Sequence, residues 1–241
     1  GGATIATTVT GNNSYTGGTT IASGTVSMSH VNAFGTGNVT ILSGATRGPG
    51  SGVGTISNNF TINGSGSGNG AIQSNAANVA QTFSGLITLA GDATLASRAT
   101  GVGANSTMVV SGGIVTSGGA NRTLTLNIFG NSTINNNKIT INTNSINLGA
   151  GGTLDVGAGQ SAGGGAGTYN LNVGNNTMGN VIVRGFATAG SNSTTTLNLG
   201  AANALGGAVL QLGVTDGATI DDRLSVNLNG NSQTIGGLRS F

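Results

Sequence analysis

TLTLNIFGNSTINNNKITINTNSINLGAGGTLDV, residues 123–156, is the stretch that decides the fold. Leu124, Leu126 and Ile128 alternate with Thr and Asn. The same two-residue period recurs at KITIN (138–142), SINL (145–148) and TLDV (153–156). Side chains alternate faces along an extended chain, so each segment reads as a strand with one face buried. The gaps are filled by Gly, Asn and Ser. Gly and Asn tolerate positive φ, and Asn and Ser side chains bond local backbone, so the gaps read as turns.

The pattern extends in both directions. YNLNV (169–173), TTLNL (195–199), AVLQL (208–212) and LSVNLN (224–229) alternate in the same way. We count roughly 20–24 such segments, spaced about 8–12 residues apart. No stretch carries a 3.6-residue apolar stripe. The nearest, NAANVA (75–80), is short and Gly-flanked, and it reads as loop or strand edge.

Composition then selects among all-β architectures. The 241 residues include 47 Gly, 31 Asn, 34 Thr and 23 Ser, more than half the chain, and only eight aromatics. A sandwich or barrel needs longer strands around bulky side chains. A parallel β-solenoid takes short strands, small-residue corners and a narrow interior of stacked aliphatics. Asn and Thr at equivalent corners are expected to form hydrogen-bonded ladders up the stack. At roughly 20–30 residues per coil, the chain makes about 8–12 coils. Strands ~4.8 Å apart then give a rod of roughly 40–60 Å. Residues 1–241 are expected to form one continuous solenoid domain. Gly-rich backbone is costly to order, at ~1–2 kcal/mol per residue, and pairing nearly every N–H and C=O is the compensation available.

Other classes are excluded by the same numbers. Apolar residues make up 36% and recur along the whole length, unlike a flexible linker. Collagen needs a three-residue Gly period, and Pro occurs once, at Pro49. Seven basic residues, scattered from Arg47 to Arg239, make no nucleic-acid surface. With no Cys and one His, disulfides and Cys-based metal sites are ruled out. No segment approaches the ~18 apolar residues of a membrane helix. There is no initiator Met and no charged-then-apolar leader, so a segment or mature form of a longer exported protein is expected.

At residues 13–26 the chain reads NSYTGGTTIASGTV. Asn13, Tyr15, Thr16, Gly17, Thr19, Ile21, Gly24 and Thr25 match the core of the passenger-associated repeat of autotransporters, with Val26 in place of the usual Leu. NAFGTGNVTILSGAT (32–46) resembles the next block of that repeat. TISNNFTINGSGSGNGAIQS (55–74), FSGLITLAGDATLAS (83–97), MVVSGGI (108–114), LNLGAANALGGAVLQLG (197–213) and LNGNSQTIGGL (228–238) resemble the autotransporter-associated β-strand repeat. Roughly half the chain is covered, and residues 120–190 match in texture alone. The resemblance implies a right-handed parallel β-helix, exported and displayed on the outside of a Gram-negative-type cell. Members are commonly long surface proteins with adhesive or spacer roles. A signal peptide and a C-terminal barrel, which a complete autotransporter carries, are not seen in this sequence.

Catalytic patterns are few. Gly159-Gln160-Ser161-Ala162-Gly163 matches G-x-S-x-G, but it sits in a Gly/Ala run without the following helix that a nucleophile elbow needs, and it reads as a solvated loop. His30 is the only His, at a strand end, and reads as an exposed or corner side chain. Asp221 and Asp222 are adjacent, so on a strand they point to opposite faces; Asp222–Arg223 reads as a surface pairing. GGTLDVGAG (151–159) resembles one unit of a calcium nonapeptide repeat, and no series follows. Lys138, the only Lys, lies in KITIN rather than a phosphate loop, and GSGSGNGA (64–71) lacks the helix of a dinucleotide turn. The nine Asn-x-Ser/Thr triplets, among them Asn12, Asn38, Asn59 and Asn131, are what this composition gives by chance. No catalytic, cofactor or metal residue is therefore assigned, and no enzyme is expected.

Three roles remain. The leading one is a structural extracellular module, a stalk or fibre subunit, whose partner is another copy of itself. Neither ATIATTV (3–9) nor Leu238–Phe241 reads as a cap, so end-to-end stacking into filaments is expected. The alternative is an adhesin that binds surface glycans, for which Tyr15, Tyr169 and six Phe are too scattered to form a platform. The third is an ice-binding solenoid, suggested by TLT (123–125) and TTT (194–196), although no Thr-x-Thr period recurs.

Overall fold

A computed structural model describes residues 6–48, 50, 53–68, 70–74, 79–98, 105–129, 136–157, 165–185, 193–214 and 223–240. These residues form 22 β-strands and one short 3-10 turn, Ser117–Gly119. Adjacent rungs pair in parallel throughout, for example Leu124 with Leu154 and Leu154 with Val181. The chain is an all-β parallel solenoid.

Three ladders run along it. The longest passes through Ala6–Val9, Gly24–Met28, Ala45–Arg47, Ile72–Ser74, Ile87–Arg98, Thr123–Phe129, Thr153–Val156, Asn180–Gly185, Val209–Val214 and Gly237–Ser240, ten rungs in register. The second holds Thr55–Ile56, Ala80–Phe83, Thr107–Val110, Asn136–Ile141, Gly165–Leu171, Ser193–Leu199 and Arg223–Asn227. The third runs through Thr19–Ile21, Val39–Ile41 and Phe60–Gly64 into Ile87–Arg98, then Ile114–Thr116 and Ile146–Asn147. Ile87–Arg98 is long enough to serve two ladders, and the register shifts between Leu89 and Ala93 where it turns the corner. In register, Ala6 lies opposite Thr25 and Gly24 opposite Ala45, coils of 19 and 21 residues that precede the first second-ladder strand. Once all three ladders are present, a coil takes 23–31 residues, as from Ile72 to Leu95 and from Ala93 to Leu124.

All eight alternating segments quoted from the sequence overlap strands, and their alternation is the packing. Thr123–Phe129 places Leu124, Leu126 and Ile128 inside and the residues between them at the surface. The buried apolar side chains make one cluster from Ile21 to Leu210. Of NAANVA, residues 75–78 lie outside the described residues, and Ala80 opens the strand Ala80–Phe83.

Small residues let coils approach closely. A Cβ on Gly112 would fall within the carbonyl of Gly85, and one on Gly85 within the carbonyl of Asn58. Only a residue without a side chain fits two successive steps of that column.

Carboxamides then fasten coil to coil. Asn176, 5% exposed, accepts from the Ile146 N–H at 2.7 Å through Oδ1. Its Nδ2 donates to the carbonyls of Val173 (2.9 Å) and Ala204 (2.7 Å), so one side chain ties three coils. Buried Asn58 donates to the carbonyls of Gly35 and Gly37, and Gln233 bonds Leu205 N–H and Ala201 O. At these turns single amides satisfy backbone groups that the strands leave unpaired. Ladders of side chain on side chain occur too, at the corners, where Asn172 donates to Asn142 and Asn32 to Asn12 (both 2.8 Å), and also along the strands. Asn227 donates to Asn198 (2.9 Å), Asn198 to Asn170 (2.9 Å) and Asn170 to the Thr140 hydroxyl (3.0 Å), all on the outward face of the second ladder.

Candidate functional site

The sequence candidates for chemistry scatter. His30 is half-buried in a turn, its Nδ1 accepting from the Asn32 N–H at 3.1 Å, which fits a corner role. Residues 159–163, the G-x-S-x-G match, lie outside the described residues, as do Asp221, Asp222, Asn131 and Pro49. Arg223 opens an exposed strand. Lys138 is exposed between Thr107 and Thr168 in the second ladder. Asp155, in the calcium-like stretch, instead pairs with Arg184 on the next coil at 2.8 Å. Gly64 ends a strand and no helix follows it through Gly68. Asn12 and Asn59 are already engaged, with Asn32 and the Leu86 N–H. Among the described residues no three His, Cys, Asp or Glu side chains gather as metal ligands, and no helix is long and apolar enough to cross a membrane.

The aromatics also separate. Tyr15 is 43% exposed and bonds the Thr19 hydroxyl at 2.7 Å, whereas Tyr169 is buried. Burial raises the Tyr169 pKa far above that of an ordinary phenol. Phe34, Phe60 and Phe83 are core residues. In TTT (194–196) the central Thr195 points inward and is buried. The stacked threonines are elsewhere: Thr20, Thr40, Thr61 and Thr88 lie in register on four successive coils of the third ladder. The trace of this in the sequence is a repeated triplet of Thr followed by an aliphatic residue: TTI, VTI, FTI and ITL.

Two places stand out. The first is the last rung, Gly237–Ser240. Leu238 pairs with Leu210 in an inward column that descends through Val181, Leu154 and Leu124. Exposure along the column is 0% at Leu124, 1% at Leu154, 0% at Val181, 8% at Leu210 and 65% at Leu238. Leu238 is a core residue without a rung above it among the described residues. Leu228 and Ile235 are also exposed in this last coil. Protein-family models, curated proteins and solved structures give no match to this chain. Its geometry therefore carries the functional reading.

The second place is inside. Arg47 occupies a core column, between Val26 and Ile72, and Ile72 pairs in turn with Leu95. It is fully buried. Nη1 donates to the Gln73 carbonyl (2.7 Å) and to Gln81 Oε1 (3.2 Å), and the guanidinium carbon lies 5.3 Å from the centre of the Phe83 ring. Gln81 is held in turn by the Gly50 carbonyl. Burial alone pushes the Arg47 pKa down from 12.5 to about 9, so the group is charged at neutral pH. Nothing in ATRG marks Arg47 as buried; its register neighbours do.

A shallower feature follows a corner. Asn175, Asn176, Asn203, Gly206, Gly207 and Thr234 line a groove of about 350 Å³. It is rich in amide and hydroxyl groups and has no charged or aromatic lining.

Proposed function

We propose that this chain is a non-catalytic structural module, a β-solenoid stalk or fibre segment of a bacterial cell surface, that associates end to end. The observation that carries this reading is the Leu238 column. Apolar core surfaces at the last described rung, where another parallel rung would cover it and continue the long ladder. A contact of the two unlike ends is heterologous, so it propagates rather than closes. A net charge of +2 spread over 241 residues offers little repulsion against such stacking. The resemblance to autotransporter passenger repeats supports display outside a Gram-negative-type cell.

The test is sedimentation velocity and negative-stain electron microscopy across a concentration series. The chain is expected to form lengthening rods. Leu238→Lys, which places a charge at the exposed end of the column, is expected to weaken association by tenfold or more. A wild-type chain that stays monodisperse and monomeric at every concentration sinks the stacking reading.

The corner groove favours a second reading, an adhesin that takes a hydroxyl-rich glycan through its uncharged amides. A glycan array is the direct measurement: specific hits lost in Asn203→Asp would support it, and a blank array would remove it.

A further inference from the structure

Arg47 presents a guanidinium whose bonding is half complete. Nη1 is occupied by Gln73 and Gln81, and the guanidinium carbon lies over the Phe83 ring. Nε and Nη2 have no hydrogen-bond partner and no contact with solvent. These two nitrogens share one edge of the planar group, the edge whose parallel N–H bonds grip two oxygens at once. A buried cation is ordinarily matched by a carboxylate. None acts here. Asp92 accepts from the Thr123 N–H, Asp155 holds Arg184, and no carboxylate contributes to the electrostatics of Arg47. Arg47 thus sits in a column of aliphatics with no hydrogen bond at its fork edge.

We propose that the Arg47 edge is a binding site for a small planar monovalent oxyanion, of the formate or nitrate type, held bidentately by Nε and Nη2. The anion supplies the missing counter-charge and both missing acceptors. Two oxygens fit the fork better than a single spherical halide, and a dianion would reverse the charge imbalance rather than cancel it. Binding to the folded state alone makes stability rise with anion concentration.

The test is thermal unfolding of the whole chain in sodium formate, nitrate, chloride and sulfate at matched ionic strength. Generic salt effects favour sulfate. Site binding reverses that order, and above saturation the midpoint climbs by about 3–5 °C per tenfold rise in formate or nitrate. Chloride is expected to act more weakly. Arg47→Met replaces the charge with an aliphatic of similar length in an aliphatic column, and such replacements of buried charge are often neutral or stabilising. The variant is expected to fold and to lose the anion response. Wild-type midpoints that follow the generic order, with sulfate the best stabiliser and no added slope in formate or nitrate, overturn the proposal whether or not Arg47→Met folds. In that case bridging waters complete the edge. A response that persists in a folded Arg47→Met also overturns it, because the anion is then bound elsewhere.

Discussion

Replacing Asn176 with alanine is expected to destabilise the solenoid by about 3–5 kcal/mol, since each buried group stripped of its partner costs about 1–3 kcal/mol. The substitution leaves the Ile146 N–H and the Val173 and Ala204 carbonyls without their amide partner. Asn172→Ala is the control. Asn172 donates to Asn142 at 2.8 Å, but on an exposed face where water replaces the lost bond, so its cost is expected to stay below about 1 kcal/mol. Denaturant unfolding of the two variants checks the difference. Equal losses would mean that the buried amide adds nothing beyond its exposed counterpart.

The second large effect is expected at Phe83. Its ring packs edge-on against Phe60, with centroids 5.7 Å apart at 72°, and it also lies beneath the Arg47 guanidinium. Phe83→Ala opens a cavity worth about 3–5 kcal/mol in a core of this kind. It also removes the aromatic face from a charge that has little else. Phe83→Leu restores most of the volume but not the ring. The gap between Phe83→Leu and wild type, compared with the same gap in an Arg47→Met background, isolates the cation–π part by double-mutant cycle. A coupling energy of zero would assign the whole effect of Phe83 to packing.

These two residues mark the limit of what the sequence discloses. The strands were legible because alternation is a local property: Thr123–Phe129 and Thr153–Val156 could be drawn from their own letters. Stacking was legible from the lack of bulky side chains. Register was not, because it pairs residues one coil apart, and coil length changes from 19 residues at the first step to 31 at Ala93–Leu124. What depends on register was therefore hidden. The burial of Arg47 shows only through Val26 and Ile72, its neighbours on the adjoining coils. Thr195 looked like part of an exposed threonine run until its position in the ladder turned it inward. The Thr20–Thr40–Thr61–Thr88 stack shows only as a triplet, TTI, VTI, FTI and ITL, repeated 20–27 residues apart. Asn176 was one Asn among 31, and only its place at a corner between three coils separates it from the rest. The exposed apolar end was in part foreseen, since Leu238–Phe241 reads as uncapped, and the column from Leu124 to Leu238 supplies the reason.

The short sequence distance between paired strands bears on how such a chain is made. Every long-ladder rung bonds to one laid down 19–31 residues earlier, never to one far along the chain. Closing each new loop therefore costs about the same entropy as the one before it, because that cost grows only with the logarithm of loop length. Once a first coil exists, its edge is a template, and each later coil is wound onto it without waiting for the remainder of the polypeptide. Such a chain can acquire its shape progressively from one end, each turn held by the turn before it.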